Sequence, residues 1–329
     1  MTLDTRRIRA LRPPKKAVDP GRPIAVLREL ERWRGEAVPV EALTVFLAGA
    51  ECPFTCVFCD LWRETLDDPT PPGAIPRQIH AAREEATAAT RSIKLYNASN
   101  YFDERAVPAA DDEAVLSAVR SFERVVVECH PRLTGARCLK FAAALERQDS
   151  RLEVAMGLET CDRQAFPKLN KGMDLEHFDQ ACERLLAAGC ALRAFVLVGT
   201  PFVAPEDYVE SAVATARHAF ERGVDTVALI PLRAGNGAVD ELIEAGDLRP
   251  PRLAELETAL EGALAAAAEF SDDGTASPVI TADTWDLDRF ATCLHCAGGR
   301  TERLARINLS GAVELPVECD ACSREGDSR

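Results

Sequence analysis

Short apolar runs rich in β-branched residues alternate along this chain with longer segments of helical periodicity. Such runs, bounded by turn residues, are typical of strands buried on both faces. They predict six strands, at Leu43–Gly49, Ser92–Asn97, Arg124–Cys129, Leu152–Leu158, Ala191–Val198 and Asp225–Ile230. The segments between them predict helices at Arg77–Thr90, Asp112–Phe122, Ala136–Arg147, Leu175–Ala188 and Pro205–Arg222.

Six strands that alternate with helices indicate an α/β fold with a parallel sheet and helices outside it. Right-handed crossovers curl such a series into a partial (β/α)6 barrel of the TIM type. We predict three regions: an N-terminal extension over residues 1–40, the barrel over 41–235, and a C-terminal part over 236–329. The extension is predicted to end in a short helix near Ile24–Trp33, and the C-terminal part to begin with a helix at Pro251–Phe270.

The composition fits a soluble protein with a large core, since 47% of the 329 residues are hydrophobic. No apolar run approaches the ~20 residues that a membrane-spanning helix needs, and the N-terminus lacks the apolar region of a secretory signal. Outside a secretory context, twelve cysteines indicate reduced thiols and metal ligands. We therefore expect a cytoplasmic protein with no membrane contact.

Charge is distributed unevenly along the chain. Residues 1–34 hold ten Lys or Arg against four Asp or Glu, a net charge of +6, whereas the whole chain carries −14. The acidic remainder argues against a surface that wraps nucleic acid. The basic arm leaves a local contact with RNA open, and a solvated extension is the alternative reading.

Three cysteines, Cys52, Cys56 and Cys59, follow the first predicted strand with the spacing C-x3-C-x2-C. Thiolates select soft metals and iron–sulfur clusters. Three thiolates on a four-iron cluster leave one iron open to an outside ligand, as in a catalytic metal site. A zinc knuckle or three buried free cysteines are the alternatives, although structural zinc sites prefer four protein ligands.

Polar side chains follow the other predicted strands at the edge where parallel αβ barrels carry their active sites. They lie in Asn97–Asn100, Glu128–His130 and at Glu159. The carboxylates are placed to bind hydroxyl or ammonium groups, or else they cap loops. His130 is either a substrate contact or proton donor, or an ordinary loop histidine.

The cysteine motif, with an aromatic residue just before its last cysteine, resembles the signature of the radical SAM superfamily. Residues 43–232 resemble the barrels of the Elongator catalytic subunit and of coproporphyrinogen-type enzymes, and are closer still to the radical SAM component of archaeosine synthesis. The shared pieces are FLAGAECPFTCVFCDLW, KLYNASNYFDERAVP, VVVECHPRL, LEVAMGLET, LNKGM and LRAFVLVGTPF. The resemblance implies a [4Fe–4S] cluster on Cys52, Cys56 and Cys59, and S-adenosylmethionine (SAM) on its open iron.

The same resemblance implies contacts to SAM. It places Phe58 near adenine, Asn97, Ala98 and Ser99 at the methionine amino group, Glu128 near the methionyl part, Glu159 at the ribose and Lys171 at the carboxylate. Two departures stand out. An Asn-Ala-Ser-Asn stretch replaces a glycine-rich motif, and Phe195 stands near the position of a ribose-binding carboxylate in some relatives.

A second cysteine group, Cys293, Cys296, Cys319 and Cys322, forms two C-x2-C pairs near the C-terminus. Paired C-x2-C units are a strong metal signal. The segment Arg306–Val317 between them predicts a hairpin, so the set resembles a zinc ribbon and favours structural zinc. An auxiliary iron–sulfur cluster is the alternative. The remaining cysteines are predicted mostly to lie in the core, at positions 129, 138, 161, 182 and 190.

Together these features predict a radical SAM enzyme. The cluster would cleave SAM reductively, and the resulting 5′-deoxyadenosyl radical would abstract hydrogen from a substrate. We expect a small-molecule or nucleoside-like substrate and an electron donor such as flavodoxin or ferredoxin. A tRNA-modifying radical SAM enzyme is one alternative. A non-catalytic nucleic-acid-binding protein with structural metal sites is another.

Overall fold

Eight strands form one curled sheet, a half-barrel, in the computed structural model, which describes residues 3–271 and 276–325. The strands lie in sequence order from β1 to β8; β1 runs antiparallel to β2, and β2 to β8 are parallel. Their bounds are Ala25–Glu31 (β1), Val40–Leu47 (β2), Thr90–Asn97 (β3), Arg124–Glu128 (β4), Arg151–Glu159 (β5), Ala191–Val198 (β6), Thr226–Pro231 (β7) and Val279–Ala282 (β8).

Helices cover the convex face of this sheet and bury alternate strand residues such as Val45, Leu95 and Val154. Their bounds are Thr5–Leu11 (α1), Ala74–Ala82 (α2), Asp112–Ala118 (α3), Ala136–Glu146 (α4), Leu175–Ala187 (α5), Tyr208–Glu221 (α6), Ala238–Glu244 (α7), Leu253–Ala268 (α8), Leu294–Ser310 (α9) and Asp320–Glu325 (α10). The partial barrel predicted from the sequence is therefore confirmed, and all six predicted strands are present.

The first strand corrects one expectation. The helix predicted near Ile24–Trp33 is wrong, because residues Ala25–Glu31 pair along their whole length with β2. The register runs from Ala25 opposite Phe46 to Glu31 opposite Val40. An open sheet edge offers a row of backbone partners, and this tertiary pairing outweighs local propensity.

The C-terminal segment corrects a second expectation. The hairpin predicted at Arg306–Val317 is wrong, because α9 continues to Ser310 and ends at Gly311, whose φ of +68° is a helix-terminating conformation. Leu304 and Ile307 lie on one face of this helix and are fully buried. The apolar contacts of that face stabilise the helix where the sequence suggested a turn.

Strand β8 was not predicted. It has four residues and extends the sheet by pairing with β7, Thr226 opposite Val279 through Leu229 opposite Ala282. Strand β1 lies in the predicted N-terminal extension and β8 in the predicted C-terminal part. The single sheet therefore includes strands from all three predicted regions. In the described ranges, no helix combines the length and apolar character needed to cross a bilayer.

Candidate functional site

The three-cysteine loop lies at the carboxyl edge of the sheet, directly after β2. Several contacts fix its backbone. The Val57 amide donates to the Leu169 carbonyl at 3.0 Å, and the Asn236 side-chain amide donates to the carbonyls of Val57 at 2.8 Å and Cys59 at 3.2 Å. Because Leu169 follows β5 and Asn236 follows β7, loops from distant strands fix the backbone of the three-cysteine loop.

The thiols of this loop are held largely out of water. Burial raises the pKa of Cys52 and Cys59, and raises that of Cys56 to about 12. The Asn100 side-chain amide donates to the Cys52 sulfur at 3.3 Å. Without a metal these groups are neutral thiols, so binding must displace their protons. Three soft donors on one rigid loop fit a cluster with one iron left open.

Unsatisfied polar atoms lie beside the loop. The side-chain oxygen and nitrogen of Asn97 and the hydroxyl of Ser99 are buried without a hydrogen-bond partner among the described residues. Such atoms are costly unless a ligand or water pairs with them. They are the residues that the resemblance assigned to the methionine part of SAM, so a zwitterionic ligand fits this position.

Glu128 ends β4 next to these atoms. Its carboxylate accepts a hydrogen bond from the backbone N–H of Asn97 at 3.2 Å. Burial raises the pKa of Glu128 to about 8, and the charge of Glu159 adds to the rise. At neutral pH the free site therefore holds a carboxylic acid, and an ammonium group bound nearby would favour its ionised form.

Glu159 and Lys171 form a buried ion pair, with 2.8 Å between Oε1 and Nζ. Burial alone would lower the pKa of Lys171, but the Glu159 carboxylate outweighs it and the pKa rises. A side chain at Gly157 would overlap Glu159 and lie 2.7 Å from the lysine nitrogen, so only glycine leaves room for the pair. Lys171 Nζ also lies 5.6 Å from the centre of the Phe58 ring. The structure thus brings Phe58, Glu159 and Lys171 together, with the two charged residues paired to each other.

His130 links three parts of the site. Its Nδ1 accepts from the Arg132 amide at 3.2 Å, so Nε2 carries the proton and donates to the Lys171 carbonyl at 3.0 Å. The ring stacks on Phe54 with 3.9 Å between centres. Burial lowers the pKa of His130 to about 3. A neutral imidazole with both nitrogens engaged positions the loops, and the sequence offered no signal for this role.

The N-terminal arm lies on the cysteine loop. The hydroxyls of Thr5 and Thr55 are 2.9 Å apart, and the Asn170 side-chain amide donates to the Thr55 carbonyl at 2.7 Å. Leu3 and Ile8 pack in one apolar cluster with Val57. The sequence analysis did not identify Asn170 and Asn236, because their contacts with the cysteine loop span more than 100 residues. It did not predict the docking of the arm, because α1 is too short to identify from its pattern.

Acidic residues near the loop neutralise much of the arm's charge. Arg12 and Lys15 pair with Glu51 at 2.6 and 2.7 Å, and Arg7 pairs with Glu241 at 2.6 Å. Arg6 and Arg9 form no ion pair with any residue that the structure describes. These two cations lie with Asp4 and Thr5 at a shallow, open depression of the surface that also contacts Asn170.

The four C-terminal cysteines come together even though the predicted hairpin is absent. The Cys293 and Cys319 sulfurs are 3.8 Å apart, those of Cys296 and Cys322 are 3.7 Å apart, and all four lie within 4.8 Å of one another. Four thiolates at zinc bond length, about 2.3 Å, form a tetrahedron with edges of about 3.8 Å. The set can therefore bind one metal ion.

Two proteins of known sequence are similar to this chain. No protein-family model matches the chain. An uncharacterised protein of Methanocaldococcus jannaschii is 21% identical over 73% of this chain and 68% of its own length. Archaeosine synthase subunit beta of Thermococcus kodakarensis is 27% identical over 55% of this chain and 57% of that protein.

Among solved structures, Streptococcus suis SuiB bound to S-adenosylmethionine matches with a TM-score of 0.54. The match has 13% identity and covers 74% of this chain and 51% of SuiB. The fold is that of radical SAM enzymes. The resemblance indicated by the cysteine motif is confirmed, and the chain spans about half of the solved protein it matches.

Proposed function

We propose that this protein is a radical SAM enzyme with its cluster on Cys52, Cys56 and Cys59. The observation that carries the proposal is a hydrogen-bonded three-thiol loop that contacts Asn100, next to the buried, unpartnered polar atoms of Asn97 and Ser99. A bound cluster would supply the electron that cleaves SAM, giving a 5′-deoxyadenosyl radical that abstracts hydrogen from the substrate. In a structural metal site the protein fills every coordination position, so an open position favours a catalytic role.

The chain's own residues would orient the cofactor and exclude water from it. Asn97, Ala98 and Ser99 would receive the methionine amino group, and Glu128 would become its counter-ion on losing its proton. Phe58 would contact adenine. Lys171 would share its charge between Glu159 and the SAM carboxylate, while Glu159 keeps an oxygen for the ribose.

For the substrate we propose a small molecule or a nucleoside-like group. Three cations of the N-terminal arm support this, since Arg7, Arg12 and Lys15 are paired within the chain and leave less positive charge for RNA. The similarity to an archaeosine synthase subunit supports the tRNA-modifying alternative, which we keep as the second candidate. Reduced thiols and an oxygen-sensitive cluster suit the cytoplasm.

For the electron donor we propose an acidic protein of the flavodoxin or ferredoxin kind. Arg6 and Arg9 present unpaired positive charge in a chain of net charge −14, and they lie beside the loop that holds the cluster. Opposite charges steer a donor towards that face and orient it there.

At the C-terminal cysteines we propose structural zinc. The distances of 3.7 and 3.8 Å between sulfurs match the edge of a single-ion tetrahedron. In a four-iron cluster each thiolate binds a different iron, which would hold the sulfurs farther apart.

Anaerobic reconstitution tests the central proposal. Iron and sulfide analysis should give about four of each at the barrel site. Dithionite should then drive release of 5′-deoxyadenosine and methionine from SAM, and Cys56→Ala should abolish that release. Cys182→Ala is the matched control, because it removes a buried thiol of the helix layer. SAM cleavage that survives in a Cys52, Cys56 and Cys59 triple variant would overturn the proposal and favour a non-catalytic metal protein.

A further inference from the structure

Each cysteine of the three-cysteine loop is followed or preceded closely in sequence by a residue that the N-terminal arm contacts. At the first cysteine, Arg12 and Lys15 both pair with Glu51, the residue directly before Cys52. The distances between nitrogen and oxygen are 2.6 and 2.7 Å, and all three side chains are less than one-quarter exposed. Because solvent and salt screen partly buried pairs less than exposed ones, these pairs hold the start of the loop to the arm.

At the second cysteine, the arm contacts the loop through a hydrogen bond and through apolar packing. The hydroxyls of Thr5 and Thr55 lie 2.9 Å apart, and Thr55 directly precedes Cys56. Ile8 shares one buried apolar cluster with Val57, the residue directly after Cys56. Arm residues therefore interact with the chain on both sides of this cysteine.

Beyond the third cysteine, the arm contacts the short 3-10 turn that ends the loop. The Arg12 guanidinium lies 4.7 Å from the centre of the Trp62 ring, and the backbone N–H of Lys16 donates to the Arg63 carbonyl at 2.9 Å. Trp62 is buried, and its indole N–H donates to the Cys59 carbonyl at 3.1 Å. The arm thus also interacts with a residue that holds the backbone of the last cysteine.

The same part of the arm is attached to α7, which lies outside the loop. Arg7 pairs with Glu241 of α7 at 2.6 Å, and Ile8 shares its apolar cluster with Val239 and Leu242 of that helix. The arm therefore connects the cysteine loop to a packed helix. A segment opens locally at a free-energy cost that rises with its buried contacts, so this connection makes the loop harder to open.

We propose that residues 3–16 clamp the cysteine loop and thereby slow the loss of its cluster. The inference rests on the proposed function, because it requires a cluster on the three cysteines of the loop. A cluster can leave only when its thiolates separate from the irons, which requires the loop to open. With the arm in place, opening must also break contacts at the start, the middle and the end of the loop. The positioning residues of this clamp are Thr5, Ile8, Arg12 and Lys15.

The rate of iron release from the reconstituted full-length protein tests the clamp without SAM cleavage. The probe is a strong chelator of ferrous iron, added under anaerobic conditions, and the colour of the iron–chelator complex gives the rate. Thr5→Val keeps the shape of the side chain but loses the hydroxyl, and should speed release about threefold to tenfold, since one hydrogen bond is lost. Thr5→Ser keeps the hydroxyl and should release iron at the wild-type rate.

A second variant tests the ion pairs at the start of the loop. Arg12→Met with Lys15→Met leaves Glu51 without its partners and should also speed release by at least threefold. Arg22→Met with Arg28→Met is the matched control, because it makes the same change in net charge at exposed positions outside residues 3–16. This control should retain iron as the wild type does.

Several results would overturn the inference. Release at the wild-type rate in both Thr5→Val and the Arg12 and Lys15 variant would show that the loop retains its cluster without the arm. Equally fast release from Thr5→Ser or from the charge control would show a general effect of substitution and no clamp. If the wild type assembles no cluster, the proposed function fails and the clamp with it. If the wild type holds about four irons and cleaves SAM while both arm variants retain iron as it does, only the clamp fails.

Discussion

At the scale of single residues, the site depends on polar groups that the fold has taken out of water. Lys171 and Glu159 are each less than one-tenth exposed and are held 2.8 Å apart. In such a pair the mutual attraction compensates for lost hydration only while both partners are present. The pair therefore couples the loop after β5 to the strand itself, and places a cation beside the cysteine loop.

Removing one partner should cost more than removing both. Lys171→Met leaves a buried carboxylate unpaired and should lower the free energy of unfolding by about 3–5 kcal/mol. Lys171→Met combined with Glu159→Gln should recover most of that loss, because no charge is then left buried. Urea unfolding of the three proteins measures the coupling.

The exposed pair of Arg217 and Glu269, 2.6 Å apart, supplies the control. Arg217→Met should cost less than about 1 kcal/mol, because solvent screens that pair. A similar cost for Lys171→Met would show that the buried pair does not stabilise the site. The double variant should also lose affinity for SAM while its iron content stays unchanged.

At the scale of elements, the C-terminal segment is held by a buried arginine and by its cysteines. Arg303 of α9 is 1% exposed, and bonds Glu257 of α8 at 3.0 Å and the Leu315 carbonyl at 2.9 Å. These bonds direct the chain after α9 back along the helix, so that Cys319 and Cys322 reach Cys293 and Cys296. In the stretch after α9, Leu315 is more than four-fifths exposed, so apolar packing contributes little to holding that stretch.

If the four cysteines bind zinc as proposed, loss of that zinc should release the tail, because a short segment with little core depends on a bound metal for its fold. Replacing Cys319 and Cys322 with Ser should remove one zinc per chain and raise proteolysis after Phe290. The iron signal of the barrel should remain, since its thiols lie on a separate loop. Metal analysis and limited proteolysis measure both effects, with Cys161→Ser as the control. Loss of about four irons would instead indicate an auxiliary cluster, and no change in metal or proteolysis would show that the four cysteines are not a site.

At the scale of the whole molecule, the surface beside the cysteine loop differs in charge from the rest of the acidic chain. The chain carries −14, yet α1 places Arg6 and Arg9 beside the cysteine loop without ion-pair partners among the described residues. The other cations of the arm tie it to Glu51 and Glu241. The arm is therefore part of the barrel's surface beside the cysteine loop.

Charge reversal at this face should weaken reduction by a protein donor and leave chemical reduction unchanged. Arg6→Glu with Arg9→Glu should raise the KM for an acidic flavodoxin about tenfold, and added salt should shrink the difference. SAM cleavage driven by dithionite should equal that of the wild type. Arg77→Glu with Arg120→Glu makes the same change in net charge at exposed positions of the helix layer. Equal KM values for the two double variants would mean that the donor docks elsewhere.

The sequence by itself determined the parallel strands, the carboxyl edge as the place of the site, and the cysteines that could hold metals. These follow from local pattern: apolar runs of strand length, and ligand spacings within one loop. Leu43–Gly49 and the cysteines that follow it needed no distant residue to be recognised.

Features that depend on residues far apart in the chain were decided only by the tertiary structure. Residues Ala25–Glu31 form a strand because β2 offers a free edge, and Leu294–Ser310 is a helix because α8 and β8 bury one face of it. The neutral state of His130 and the pairing of Lys171 with Glu159 follow from burial that no local pattern encodes. Spacing along the chain specifies which groups are present, whereas burial and long-range contacts decide their charge, their partners and the space they enclose.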